Sequence, residues 1–455
     1  MACEYVCAGF ETLSSIIDKF TLENDNFTKQ QVSEFFSKTC NKFLHSFGGG
    51  VSGRKSFKNY AKSEAELLQK CRSTGLFDQS MFYVDSGGYQ VSVGQVSANQ
   101  VDDLIECYHN FLLEYSNVFD RAFTLDIPPG PRCTAFSSFD EVYELNLKSY
   151  LKAASLPDDV RSKLIYVHHF RTPKLWEVYS RILEENDLFP KFSHFGTGGI
   201  VATKSSGIGL PCIIYVIPLI VILKHALSCG MKELDFHVLG GSTYRDIITY
   251  EILKIHIEKR LGIKVNITYD SSGVFKGFLI ARNVHHLTED GTIITLCLKS
   301  SMLEFMVKET KKTVLQTFLD LLEQMAAEYN FKPLNRDTIY DEKGALFKDV
   351  AVYSMLYVLR FFSLVENYAK KISPALYDLY EKDPKWSFGP ALDEVMIKVN
   401  YGKRTKKQEW KTSVLTRSLE LLEDLQTNNV RKVVEQYLSS DEFTNLLKED
   451  EYYTL

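Results

Sequence analysis

The chain has 455 residues, with 53 Lys and Arg against 58 Asp and Glu and a formal net charge of −5. Hydrophobic residues make up 45% and charged residues 24%, which excludes collagenous, coiled-coil and wholly disordered classes and suggests about two or three globular domains. The mild acidity excludes a protein that coats nucleic acid by bulk charge, but not a nucleic-acid enzyme, because steering depends on a local basic face.

The start, MACEYVCAGFETL, carries acids early and lacks an apolar core, so no signal peptide is expected. The nine cysteines are scattered and never form C-x-x-C, which fits a reducing compartment and a cytoplasmic location. Residues 10–41 carry apolar side chains at three- and four-residue spacing, so 1–41 reads as an N-terminal helical segment.

A different rhythm follows. Short apolar runs read as strands: NKFLHSF (41–47), MFYVD (81–85), RAFTLDI (121–127), KLIYVHHF (163–170), FSHFGTGGI (192–200), MKELDFHVLGG (231–241) and IKVNITYDSSG (263–273). Between them, 98–115, 139–154, 173–186, 211–228 and 242–261 read as helices. This alternation implies βαβ units and a parallel sheet. The strands end in Asp85, Asp126, His168, Gly198-Gly199, Gly240-Gly241 and Asp270. Functional residues at many strand ends are the layout of a (β/α)8 barrel, so an α/β TIM-like barrel is expected over 42–300. An eighth strand is not evident. Residues 278–299 read as a hairpin around Glu289-Asp290-Gly291, inserted before it.

Residues 208–223, IGLPCIIYVIPLIVIL, test a membrane role. They fall short of the roughly 18–20 apolar residues of a span, and Pro211 and Pro218 interrupt them, so a buried helix and no membrane partner are expected. From 301 to 455 the pattern is helical and forms an additional C-terminal region. Within it, MIKVNYGKRTKKQEWK (396–411) is the densest basic run. It is either a solvated loop or, through Lys403, Arg404, Lys406 and Lys407, a grip on nucleic-acid phosphates.

The glycine cluster FGGGVSGRKSF (47–57) fails as a P-loop because Arg54, not Lys, follows Gly53. The pairs His168-His169 and His285-His286 do not suggest a chelate, since neighbours on a strand point to opposite faces. No metal-ligand spacing appears, and no metal is expected. The sharpest motif is DSGGYQ (85–90): a strand-end carboxylate, a Gly-Gly turn that lets backbone approach a ligand, and Tyr89 placed to stack on a flat substrate. Alone, such a segment is a turn more readily than a site.

It is not alone. VDSGGYQV is similar to the catalytic segment of the tRNA-guanine transglycosylase family, which exchanges guanine for a 7-deazaguanine base. LDIPPGP (125–131) falls where that family reads the base with an Asp. FGTGGIV (195–201) resembles its Val-Gly-Gly-Leu base-binding loop, and FHVLGG (236–241) its Tyr-Leu-Met-Gly strand end. ITYDSSG (267–273) falls at its nucleophilic Asp, and ARNVHHLTEDGTI is similar to the hairpin that follows. The resemblance runs in order over about 45–300, and only DSGGYQ is close letter for letter.

The resemblance implies a double displacement at C1′. Asp270 would be the nucleophile and Asp85 the general acid and base. Asp126 would accept from N1–H and the exocyclic amine of guanine, rejecting bases without those donors. Gly198 and Gly199 would offer N–H groups to O6, and Tyr89 would stack on the base, a contact of about 1–3 kcal/mol. Ser86, Gln90 and His168 are further polar lining. No cofactor is implied, because one glycosidic bond replaces another. The target guanine must be flipped out or met in a single strand.

Three departures shape the expectation. The family's zinc site, C-x-C-x-x-C with a later His, is absent, and Cys297 is the only cysteine after Asp270. His168 stands where the family has Gln. The helical region after 300 has no counterpart. These features sit nearest the divergent branch, known from phages and bacterial DNA-modification clusters, that puts 7-deazaguanine bases into DNA. The implied partners are DNA and a free 7-deazaguanine base. The alternatives are the same exchange on tRNA, a non-catalytic barrel subunit that binds nucleic acid, and an unrelated barrel enzyme acting on a sugar phosphate.

Overall fold

A computed structural model describes residues 4–9, 17, 27–51, 54, 56–129, 133, 136, 138–198, 211–270, 283–289, 291, 293–297, 308–334, 348–383, 397–398, 413–423, 425, 429–438 and 440–452. Eight strands close into an α/β barrel of the TIM-like (β/α)8 class: β1 (Tyr5–Ala8), β2 (Lys42–Ser46), β3 (Met81–Asp85), β4 (Arg121–Phe123), β5 (Leu164–His169), β6 (His194–Gly198), β7 (Glu233–Val238) and β8 (Lys264–Asp270). The first stave is Tyr5–Ala8, ahead of the range expected for the barrel. IKVNITYD is therefore the eighth strand and not the seventh, and the missing strand lies at the start of the chain. Within the expected helical segment, the described residues hold the helix Lys29–Lys38, with Thr28 capping it through a reciprocal bond with Gln31.

Strand pairing fixes which side chains face inward. The His237 ring lies 4.8 Å from that of Phe123 and 6.1 Å from that of Tyr83. Strand β7 neighbours neither β3 nor β4, so these contacts run through the barrel interior. Parallel partners share a face, and His237 pairs with Gly196, Gly196 with Val167, and His237 with Thr268. Alternation then carries His169 and Asp270 inward and turns His168 and Thr197 toward the helices.

The chain forms two compact units. One comprises Leu44–Lys70, Met81–Asp270 and Ser413–Leu455. In it, the helices after the strands are Val101–Glu114, Phe139–Ala154, Pro173–Glu185, Pro211–Ser228 and Tyr244–Leu261. Their starts are written in sequence: Ser138, Thr172 and Thr243 cap them, and Pro173 occupies a first-turn position. Three C-terminal helices, Ser413–Glu423, Val430–Tyr437 and Ser440–Tyr452, pack on the last three barrel helices. So the expected division at 301 does not follow the packing, and 413–455 belongs with the barrel.

The other unit comprises Met1–Phe43, Cys71–Ser80 and Ser271–Thr412. Its hairpin, β9 (Asn283–Leu287) with β10 (Ile293–Cys297), is joined by β11 (Ile397–Lys398). The expected hairpin is present, but after the eighth strand. His285 bonds Thr295 within it, while His286 turns to the Tyr357 hydroxyl. The helix 350–382 is long and apolar enough to cross a membrane, and 83% of its apolar window is buried inside the protein. Residues 211–223 of the stretch tested as a span lie in the helix Pro211–Ser228, and Tyr215–Leu223, apart from Pro218, are core side chains.

The long helix Lys348–Lys382 anchors β1. Glu366 is buried and accepts hydrogen bonds from the N–H groups of Glu4 (2.7 and 2.9 Å) and Tyr5 (3.2 Å), while Phe362 stacks on Tyr5 at 3.8 Å. Removing a buried charged acceptor strands its donors. Glu366→Ala should therefore lower unfolding free energy in urea by about 2–4 kcal/mol, and Glu366→Gln by less. An unchanged urea midpoint for Glu366→Ala would show that this anchor contributes nothing.

Candidate active site at the barrel mouth

The C-terminal ends of the strands bring three carboxylates together. Asp85 closes β3, Asp126 follows β4 and Asp270 closes β8. They are near enough that the charges of Asp126 and Asp270 both act on Asp85.

Glycines set the backbone at this mouth. The turn Phe47–Gly50 after β2 brings Gly48 against Gly87, which adopts φ +89°. A Cβ on either residue would collide with the other's Cα. A Cβ on Gly88 would overlap the carbonyl oxygen of Asp126. So the Gly-Gly of DSGGYQ serves backbone-on-backbone packing, with Gly48 from the FGGG cluster as its partner. Phe47 seats the turn among Tyr60, Tyr108 and Phe111, and Tyr60 donates its hydroxyl to the Phe47 carbonyl.

Each acid has its own partner. Ser46 donates to Asp85 Oδ2 at 3.2 Å. His169 Nε2 lies 2.7 Å from Asp126 Oδ2. His237 Nε2 lies 3.2 Å from Asp270 Oδ1, which also accepts the Gly240 N–H at 3.0 Å. Asn146 clamps the backbone beside Asp126. Its amide accepts the Ile127 N–H at 2.7 Å and donates to the Ile127 carbonyl at 3.0 Å and the Tyr179 hydroxyl at 2.7 Å. Burial pushes the Asp85 carboxyl up to about 6, the Asp126 and Asp270 charges push the same way, and bonds from Ser46 and the Gly87 backbone oppose them.

The other expected residues separate. Tyr89, in the short helix Gly88–Ser92 that follows β3, is 49% exposed. Ser86 Oγ and Gln90 Oε1 are buried with no hydrogen-bond partner among the described residues. Gly198 lies beside the His169 ring, where a Cβ would press on Cε1 and Nδ1. That glycine makes room for the imidazole. His168 departs from expectation: the pleat turns it outward, fully buried, 6.0 Å from the Tyr179 ring. Burial and the neighbouring His169 push it down to about 3, so it is neutral and has no place in the mouth. His169 holds the inward position in its stead. Gly199, Lys403, Arg404, Lys406 and Lys407 lie outside the described residues. Among the described residues no group of three or more His, Cys, Asp or Glu has the arrangement of a metal site.

No protein-family model, no curated protein and no solved structure matches the chain. The site therefore stands on its own geometry. Such a cluster suits chemistry that needs a carboxylate with one oxygen unengaged among the described residues beside a carboxyl raised to about 6. Sequence reasoning missed His169, His237, Ser46 and Asn146. The inward phase of β5 would have exposed the first. The other three carry no local mark.

The raised Asp85 has a consequence for stability. Its proton is held more tightly in the folded chain than at the ordinary value of 3.8. The resulting penalty is absent below pH 4, grows as pH rises toward 6, and is complete above it. Asp85→Asn should raise the melting temperature by about 2–6 °C at pH 8 and by far less at pH 4.5. An equal gain at both values would contradict the desolvated carboxyl.

Proposed function

We propose that the chain is a base-exchange enzyme that replaces guanine in DNA with a 7-deazaguanine base through a covalent Asp270–C1′ intermediate. The observation that carries this reading is the three-acid cluster with unequal partners. Asp270 has one oxygen engaged twice and the other without a partner among the described residues. Asp85 carries a proton near pH 6. Asp126, paired with His169, is the acceptor for a donor-rich base edge.

In the first half-reaction Asp270 attacks C1′ and the C1′–N9 electron pair leaves with guanine. Asp85 supplies the proton that the departing base takes up. In the second, N9 of the incoming base attacks C1′, its proton goes to Asp85, and the carboxylate leaves. Exposed Tyr89 offers a face for stacking the flipped base, and Ser86 and Gln90 offer buried polar atoms to its edge. The basic run at 403–407 supplies candidates for the phosphate backbone.

Labelled guanine incubated with the full chain should enter DNA and not tRNA, and Asp270→Asn and Asp85→Ala should each lower the rate by at least about a thousandfold. Label entering only tRNA would move the same chemistry to the other nucleic acid. Full activity in Asp270→Asn would remove the nucleophile assignment. The half-reactions should split by pH. Guanine release in a single turnover needs protonated Asp85 and should fall above about pH 6. Capture of the new base by preformed intermediate needs the ionised form and should fall below it. Parallel pH profiles for the two steps would contradict the role of Asp85.

A further inference from the structure

The hold on Asp270 is one-sided. Both donors found among the described residues, His237 Nε2 at 3.2 Å and Gly240 N–H at 3.0 Å, reach Oδ1. His237 is itself fixed from behind, with Nδ1 2.8 Å from Thr268 Oγ1. The ring is 1% exposed and packs edge-on against Phe123 at 4.8 Å. A threonine hydroxyl both donates and accepts. If the imidazole is neutral, the hydroxyl donates to Nδ1; if it is cationic, Nδ1–H donates to the hydroxyl. In both states Nε2 keeps a hydrogen for Asp270, which as an attacking carboxylate only accepts.

Resting on the base-exchange reading, we infer that His237 is a positioning residue: it and Gly240 tether Oδ1 of Asp270, leave Oδ2 to bond C1′, and drive discharge of the covalent intermediate. The Oδ2 lone pair forms the C1′–Oδ2 bond while the C1′–N9 pair leaves on guanine with the proton from Asp85. In the return step the new C1′–N9 bond forms, the C1′–Oδ2 pair goes back to the carboxylate, and the N9 proton passes to Asp85. Nothing is oxidised or reduced. In the intermediate Oδ1 is a neutral ester carbonyl; when the ester breaks, negative charge returns to it. Donors aimed at Oδ1 bind the charged form more strongly than the ester. They therefore slow attack slightly and favour discharge.

Loss of the His237 donor should raise the ratio of intermediate to free enzyme by about ten- to a hundredfold. The test uses the full chain, a guanine-containing DNA oligonucleotide and a fixed concentration of free guanine. After denaturing quench, the fraction of protein covalently joined to DNA is read on a gel, and 7-deazaguanine is then added as a chase. His237→Phe keeps the ring and loses the donor; it should hold at least about tenfold more adduct than wild type and discharge it about tenfold more slowly. His237→Gln, with an amide N–H, should recover part of the discharge rate. Thr268→Val, which leaves His237 in place but frees Nδ1, should fall between wild type and His237→Phe. A purely structural role would lower adduct and discharge together. Wild-type adduct ratio and chase rate in His237→Phe overturn the inference; if that variant does not fold, the same result in both His237→Gln and Thr268→Val overturns it. Absence of exchange and adduct in wild type removes the base-exchange reading, and this inference with it, whereas exchange in wild type with unaltered variants removes the inference alone.

Discussion

Three carboxylates at one barrel mouth repel one another, and much of the surrounding structure answers that repulsion. Like charges in a desolvated site cannot all be held without donors or a proton. Asp126 and Asp270 each receive an imidazole nitrogen, and Asp270 also receives a backbone N–H. Among the described residues Asp85 has only the Ser46 hydroxyl and the Gly87 backbone, and burial and its acidic neighbours push its carboxyl up to about 6. Unequal partners thus divide three identical side chains into different chemical roles.

The division depends on rigid placement. Glycine-on-glycine contact between Gly48 and Gly87 sets the distance between the β2 and β3 ends, and Gly88 rests on the Asp126 carbonyl. Asn146 holds the chain one residue beyond Asp126 from both its amide atoms. Gly198 leaves the space that His169 fills. Each of these is a small side chain, or none, supporting a charged one. In the base-exchange reading they keep the reacting atoms apart by fixed amounts while bases come and go past the exposed Tyr89.

Much of the fold was legible in the sequence, and the site only partly. Seven strands announced themselves as short apolar runs, most of them ending at Asp, His or Gly, and the barrel followed from their alternation with helices. The Tyr5–Ala8 strand did not, because four residues beside a helical pattern show no periodicity. The attachment of 413–452 to the barrel crosses more than 130 residues of chain, which no local pattern reveals. Asp85, Asp126 and Asp270 were visible as strand ends. His168 and His169 were indistinguishable until the pairing of β5 with β6, and of β6 with β7, set the pleat. His237 looked like one more strand residue in FHVLGG, and its significance comes only from Thr268 and Asp270 on the adjoining strand. The FGGG cluster was read as a failed nucleotide loop; its meaning lies in a glycine forty residues away.

In the base-exchange reading this mouth binds a guanine-like base by its donor edge among the acids. The most direct measurement is a crystal structure of the full chain with a 7-deazaguanine base. The account predicts the base stacked on Tyr89, its N1–H and exocyclic amine on Asp126, and its N9 directed toward Asp85 and Asp270. A base bound away from Asp126, or with N9 turned from both other acids, would contradict it.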